Sequence, residues 1–238
     1  MSNVPRLTLS MIVRNEADRY LSQVLESARE YITDAVIIDD GSTDHTVHLC
    51  HQLLDTIPHK ITENKLSSFQ NEWQLRNQQW TETISTDPDW ILFLDADEIF
   101  EDNFKTGVPD LLQNDACSVY LFRLYDFWDE DHYRDDTLWY AHKTYRPFML
   151  RYHKDAEYLF RQADQHCGRM PANVFDFKHE LSPYRVKHLG WSREADRIAK
   201  YHRYLTLDPM GTYGSLAQYF SILDPEPALV KWEENEER

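Results

Sequence analysis

Two aspartates one residue apart, Asp95 and Asp97, directly follow the apolar run Trp90-Ile91-Leu92-Phe93-Leu94. In an extended chain residues two apart point the same way, so both carboxylates can face one site. Carboxylates, waters and phosphate oxygens are the hard ligands that Mg2+ and Mn2+ prefer. A divalent ion held in this way can bridge a diphosphate and neutralise the charge that builds on it as it leaves. No lysine or arginine stands close by in the sequence to balance Asp95, Asp97 and Glu98, which calls for a cation. The competing assignment is a polar helix start, with the acids capping it and facing the helix dipole. A second acidic group, Asp39-Asp40-Gly41-Ser42, follows the run Ala35-Val36-Ile37-Ile38. It is either a strand-to-helix turn in which Asp accepts backbone N–H groups, or a carboxylate offered to a nucleobase or ribose.

The elements that must position these groups read as alternating strands and helices. Leu7 to Val13 is a short apolar run with Thr and Ser interleaved, which predicts a buried strand. A helix is expected over Glu16 to Tyr31, where Leu21, Val24, Leu25 and Ala28 share one face. Residues 35–38 predict a second strand, followed by a helix carrying Val47, Leu49 and Leu53 and capped by Ser42 or Thr43. Residues 71–84 predict a third helix, and Trp90 to Leu94 a third central strand. Such alternation implies an α/β fold with a mostly parallel sheet covered on both faces. Sheets of this kind bind ligands beyond the carboxyl ends of their strands. All three strand ends carry polar clusters, Arg14-Asn15-Glu16, Asp39 to Ser42, and Asp95 to Glu98, so one sheet edge makes a site. After residue 115 the pattern changes. Ser118 to Tyr125, Thr144 to Arg151 and Tyr184 to His188 look strand-like, separated by polar, aromatic stretches such as Phe127 to Tyr140. Antiparallel strands and acceptor-side loops are expected there, then a helix over Arg193 to Leu207 and a frayed tail from Glu233.

The order and spacing of these motifs over residues 6–105 resemble the family 2 glycosyltransferases with the GT-A fold. The residues that carry the resemblance are Ser10-Met11-Ile12-Val13-Arg14-Asn15-Glu16, Val36 to Asp44 with its Asp39-Asp40-Gly41-Ser42 core, Arg76-Asn77, and Asp89 to Glu98. The resemblance implies an inverting transfer of a sugar from a nucleotide-diphosphate donor, UDP by default, to an acceptor hydroxyl. It implies that Val13 and Asn15 border the base and ribose, and that Asp40 hydrogen-bonds the base. Arg76 is expected near the base or diphosphate, Asp95 at the ribose or metal, and Asp97 on Mn2+ or Mg2+ itself. Small bacterial members carry a His-Glu pair followed by a strand ending in His, then Gly and an aromatic. Lys178-His179-Glu180-Leu181 and His188-Leu189-Gly190-Trp191 are similar. By that likeness Glu180 is the catalytic base and His188 a metal or diphosphate ligand, with Asp176, Asp129 and Asp131 as rival bases. Residues 1–115 are then the nucleotide-sugar-binding half and 116–238 the acceptor-binding half of one continuous domain.

Charge and composition narrow the partners. A formal net charge of -16 opposes nucleic-acid binding, which relies on Lys and Arg neutralising phosphates. The three cysteines, Cys50, Cys117 and Cys167, fit no metal-ligand spacing, and an odd, sparse count suits a reducing, cytoplasmic setting. No signal-peptide-like segment opens the sequence, and the longest central apolar run is too short to span a bilayer, so membrane contact is expected to be peripheral at most. Expected acceptors are a glycan, a lipid-linked glycan or a protein, as in polysaccharide biosynthesis. Two alternatives stand. One is a binding protein of the same fold without turnover. The other is a sugar nucleotidyltransferase, disfavoured because Arg14-Asn15-Glu16 lacks a glycine-rich phosphate loop.

Overall fold

The four-residue strand Trp90–Phe93 shows how the chain is layered. In the computed structural model, which describes residues 5–68, 71–162 and 167–234, all four of its side chains are buried. Trp90 and Leu92 join one apolar cluster, whereas Ile91 and Phe93 join another on the opposite face. Alternation places successive side chains on opposite faces, so a strand without a polar position must be covered on both. Each fully buried side chain of this kind contributes about 1.5–3 kcal/mol.

In chain order the first half contains β1 (Leu7–Val13), α1 (Leu21–Ala28), β2 (Asp34–Asp39), α2 (Thr46–Leu53), β3 (His59–Glu63), α3 (Glu72–Ile84), β4 (Trp90–Phe93), β5 (Glu98–Phe100) and α4 (Phe104–Gln113). The second half adds β6 (Val119–Asp126), β7 (His132–Arg134), β8 (Tyr145–Arg151), β9 (His179–His188), α5 (Glu194–Leu207), α6 (Leu216–Ser221) and β10 (Leu229–Lys231). Eight strands form one sheet in the order β3-β2-β1-β4-β8-β6-β9-β5, and β10 pairs with β7 in a separate ribbon. Strands β3, β2, β1 and β4 are mutually parallel. Strand β8 runs antiparallel between β4 and β6, so β6 points the same way as β4; β9 is parallel to β6. The carboxyl ends of β1, β2, β4, β6 and β9 therefore meet at one edge.

Helices α1, α2 and α4 pack on one face, through residues such as Leu25, Cys50 and Phe104. Helix α3 covers the other, through Trp80. Its start follows from sequence, because Asn71 Oδ1 accepts the N–H of Gln74 at 3.2 Å and caps the first turn. The three cysteines are buried and unpaired. No described helix is long and apolar enough to cross a membrane.

Three expectations need correction. The helix predicted from Glu16 begins only at Leu21. Asn15 takes φ 53°, and the N–H groups of Glu16 and Ala17 go to Thr46 Oγ1 and Asp44 Oδ2 rather than opening a helix. The stretch Phe127 to Asp136, expected among the acceptor-side loops, includes β7 and packs into the protein. Trp128 is buried against Trp139 and Trp191, and the buried Arg134 lies over Trp128 while pairing with Asp136 and Asp224. The tail is held at Glu234, which pairs with Lys187 and accepts the N–H of Asp102. Residues 235–238 of that tail lie outside the described residues.

Candidate active site

The first two strand ends build a turn pair that leaves little of the backbone free. Asp39 receives the N–H of Ser42 at 2.9 Å, which tightens the turn where Gly41 takes φ 75°. Asn15 Oδ1 accepts the N–H of Thr43 at 2.8 Å, and its own N–H goes to Ser42 Oγ. Val13 is buried, and its carbonyl accepts the N–H of Asp40 at 2.9 Å. Asp40 itself is fully buried, with one oxygen on Ser67 Oγ at 2.6 Å and the other on Ser68 N at 2.7 Å. The segment after β3 thus closes over the carboxylate expected to meet a nucleobase.

Two strands further along the sheet, about 10 Å away at ordinary strand spacing, stands the Asp95–Glu98 group. Asp95 is 3.8 Å from Arg76 of α3 and accepts from Arg169 Nη2 at 2.9 Å. Arg169 also clamps the buried Glu98, at 2.7 Å from Nη2 and through a second, shorter contact from Nη1. Its guanidinium lies 4.7 Å from the centroid of the Phe148 ring. Glu98 in turn accepts the N–H of Asp95 at 2.8 Å, so it fixes the turn that presents Asp97. Burial pushes the Glu98 carboxyl up, against the opposing pull of Arg169.

Asp97 points at β9. Its Oδ2 is 3.4 Å from His188 Nε2 and 4.0 Å from Lys200 Nζ, and its carbonyl accepts the N–H of Leu189 at 2.7 Å. His188 Nδ1 is 2.7 Å from Asp126 Oδ1 at the end of β6. Burial is the largest influence on Asp97 and would raise its carboxyl, but the charges of His188, Lys200 and Arg19 together hold it below the usual carboxylate range. Burial likewise disfavours the His188 imidazolium, yet Asp97 and Asp126 together raise it from 6.5 to about 10. Burial lowers Lys200, with Asp97 opposing. Glu16, beside Arg19 and near Asp97, is pushed up by burial from 4.5 to about 7.

These residues fit a divalent ion that takes the place of the Nε2 proton of His188. A carboxylate and an imidazole present Oδ2 and Nε2 side by side, and the far nitrogen of the imidazole is oriented by a carboxylate, the arrangement that fixes a metal-binding histidine. Moreover, Gly190 leaves room there: a Cβ on it would lie 2.2 Å from Asp97 Oδ2 and 2.9 Å from His188 Nε2. Beside this pair opens a cleft of about 540 Å3, whose walls include Asp95, Asp126, His188, Trp139, Trp191 and Arg146.

The fold brings Asn15, Asp40, Arg76, Asp95, Asp97 and His188 to one sheet edge. It does not bring Glu180. That residue lies eight positions before His188 on β9, about 26 Å away along an extended strand, opposite Tyr120 near the start of β6. It is exposed, and it accepts from Asn114 Nδ2 at 3.0 Å. As the proposed base Glu180 is therefore set aside, and so is Asp176, in the short turn at residues 174–176 that precedes β9. Asp129 and Asp131 follow β6 at the site edge, and with His132 their ligand atoms lie within 4.8 Å of one another. Their acids are engaged locally, Asp129 accepting the N–H groups of Asp131 and His132. Sequence reasoning missed Asp126, Arg169 and Lys200. Asp126 ends a strand-like run as Asp39 does, which is a usable signal. Arg169 and Lys200 stand 71 or more positions from their partners and leave none in linear spacing.

A doubly covered sheet whose strand ends gather carboxylates at one edge, extended by an antiparallel half, is the GT-A form of nucleotide-diphospho-sugar transferase. Residues 8–170 match the model described as "Glycosyl transferase family 2", and the chain belongs to that family of transferases. The chain is 24% identical to uncharacterized protein Rv3786c of Mycobacterium tuberculosis over 213 residues, 84% of this chain and 50% of that one. It thus spans half the length of that relative. Among solved structures, S. aureus TarS 1-349 in complex with UDP-GlcNAc superposes with a TM-score of 0.58 at 14% identity, covering 92% of this chain and 70% of that one. GalNAc-T7 with UDP, GalNAc and Mn2+ gives 0.51 at 15% identity, covering 87% and 48%.

Proposed function

We propose that the chain transfers a sugar, with inversion, from a nucleoside-diphosphate donor to an acceptor hydroxyl, assisted by Mn2+ or Mg2+. The observation that carries this reading is the convergence of Asp97 Oδ2 and His188 Nε2, 3.4 Å apart, at the sheet edge that also holds Asp40, Arg76 and Asp95. That UDP-GlcNAc is bound to TarS, and UDP with Mn2+ to GalNAc-T7, supports a nucleotide donor here.

In this reading the base and ribose lie toward Asn15 and Asp40, with Val13 contributing only backbone because its side chain is in the core. Asp97 and His188 would hold the metal, which when bound would supply charge neutralisation to the departing diphosphate. Asp126 keeps His188 turned so that Nε2 faces Asp97. Arg76 and Arg169 hold Asp95 at the donor side of the cleft. The exposed Tyr140 in the cleft wall offers a ring to a sugar face, and Asp126 is the cleft carboxylate placed to accept the acceptor's proton. The acceptor is a glycan, lipid-linked or protein hydroxyl. Three buried, unpaired cysteines accord with a cytoplasmic setting.

Calorimetry tests this directly. UDP should bind in the presence of MnCl2 and bind far more weakly in its absence. Asp97→Ala should remove that metal dependence, together with transfer and donor hydrolysis, while the protein stays folded. Metal-independent binding of equal strength, or normal turnover in Asp97→Ala, would refute the assignment.

A further inference from the structure

Three polar atoms, not two, converge over Gly190. A Cβ placed there would lie 2.2 Å from Asp97 Oδ2, 2.9 Å from His188 Nε2 and 2.5 Å from Lys200 Nζ. The first two are the proposed metal ligands, and the third has no part in the reading above. Lys200 lies in the middle of α5, and the family match ends thirty residues before it, at residue 170. Its side chain is only 13% exposed. The ammonium sits 4.1 Å from the centroid of the Trp191 ring, a position that favours a cation.

The geometry is poor for a simple ion pair. At 4.0 Å, Lys200 Nζ is beyond hydrogen-bond reach of Asp97 Oδ2. Among the described residues no hydrogen bond claims its three N–H donors. A lysine buried against tryptophan, aimed at a carboxylate it does not bond, holds its charge ready for something else. The facing groups are Asp97, Asp126 and Glu16 among the acids, and Arg19 and Arg203 among the bases.

Resting on the donor reading, we propose that Lys200 is a catalytic cation that binds the leaving diphosphate. As the acceptor oxygen forms its bond to the anomeric carbon, the bond from that carbon to the β-phosphate oxygen breaks and its electron pair stays on the phosphate. Lys200 donates a hydrogen bond to that phosphate group and keeps its proton. The acceptor's proton passes to a cleft carboxylate. A fixed ammonium and a metal on one pyrophosphate share the charge that develops there.

The role predicts effects of opposite sign, which a structural partner of Asp97 would not give. In Lys200→Met, Mn2+ alone should bind more tightly than in wild type, because a like charge beside its ligands is gone. UDP at saturating Mn2+ should bind about 10- to 100-fold more weakly, the range expected for a lost charge-assisted hydrogen bond. Lys200→Arg should restore most of the nucleotide affinity. Wild-type protein gives a test that needs no variant: UDP with Mn2+ should protect Lys200 from amine acetylation, read by mass spectrometry, and uridine should not. If wild type binds UDP and Lys200→Met binds it equally well, or if acetylation is the same with UDP and uridine, the Lys200 role is overturned alone. If wild type does not bind UDP with Mn2+, the donor reading falls and this inference with it.

Discussion

Gly190→Ala is the sharpest single test of how the metal site is enclosed. Gly190 does not lie in the left-handed region, so alanine meets no backbone strain there. Taken alone, loss of glycine would stabilise the fold by about 0.4–1 kcal/mol. The added methyl would lie 2.2 Å from Asp97 Oδ2, where ordinary contact begins at 3.4 Å, so about 1.2 Å of movement is forced on one of them. Lys200 Nζ ends a long side chain and can give way. Asp97 and His188 cannot do so cheaply, because the N–H of Leu189 holds the main chain of Asp97 and Asp126 holds the imidazole. Overpacking of this kind costs about 1–3 kcal/mol. Set against the entropic gain, the net cost is at most about 2.6 kcal/mol, so melting should fall by no more than about 10 °C, which leaves a folded protein at 25 °C. Disturbing the groups that orient metal ligands costs about 10- to 100-fold in metal affinity. Mn2+-dependent UDP affinity, measured by calorimetry at 25 °C, should drop by about that factor. An affinity within twofold of wild type, with melting unchanged, would show that Asp97 Oδ2 and His188 Nε2 do not hold the cation beside Gly190.

Two further outcomes follow from buried charge. Glu16 is raised from 4.5 to about 7 by burial, so the folded state binds the extra proton between those values. Stability from this group is complete below pH 4.5 and is lost as pH rises to 7. Glu16→Gln should flatten that decline in melting curves taken from pH 4 to 8, and an identical slope in both proteins would exclude it. Arg185 and Glu101, each 2% exposed, pair at 2.7 Å between β9 and the turn after β5. Glu101→Ala leaves the guanidinium buried and uncompensated, so urea denaturation should show a loss of about 3–5 kcal/mol; a loss under about 1 kcal/mol would contradict it.

The donor side of this molecule is legible in the sequence for a physical reason. Parallel strands buried on both faces are short unbroken apolar runs, and the polar residues that end them sit next to those runs in the chain. That adjacency alone puts Val13, Asp40 and Asp97 at one edge. Strands β3 and β5 escape such a reading because neither shows an apolar run. His59–Glu63 is a half-exposed edge strand, and Glu98–Phe100 has three residues. The helix expected from Glu16 has the right apolar face, Leu21 to Ala28, but the wrong start, because Asn15 turns the chain and Thr46 and Asp44 take the next two N–H groups.

Glu180 shows why the other half resists. His179-Glu180 and His188 belong to one ten-residue strand, and the sequence contains both ends of it without saying that it is one strand. Once β9 is drawn as a straight element parallel to β6, one end must leave the site. The register then decides which: Asp126 meets His188, whereas Tyr120 meets Glu180. The same pairing that removes Glu180 supplies Asp126, which stands directly across from the histidine and bonds it. Lys200 arrives by a longer route, after a turn at residues 189–191 and half of α5. A group whose position depends on strand direction, register and a following helix leaves no spacing to read. Three of the four residues in the proposed catalytic set, Asp126, His188 and Lys200, are accordingly brought to Asp97 by the antiparallel insertion of β8. That strand separates the donor strands from β6 and β9 and yet returns both sets of carboxyl ends to one edge.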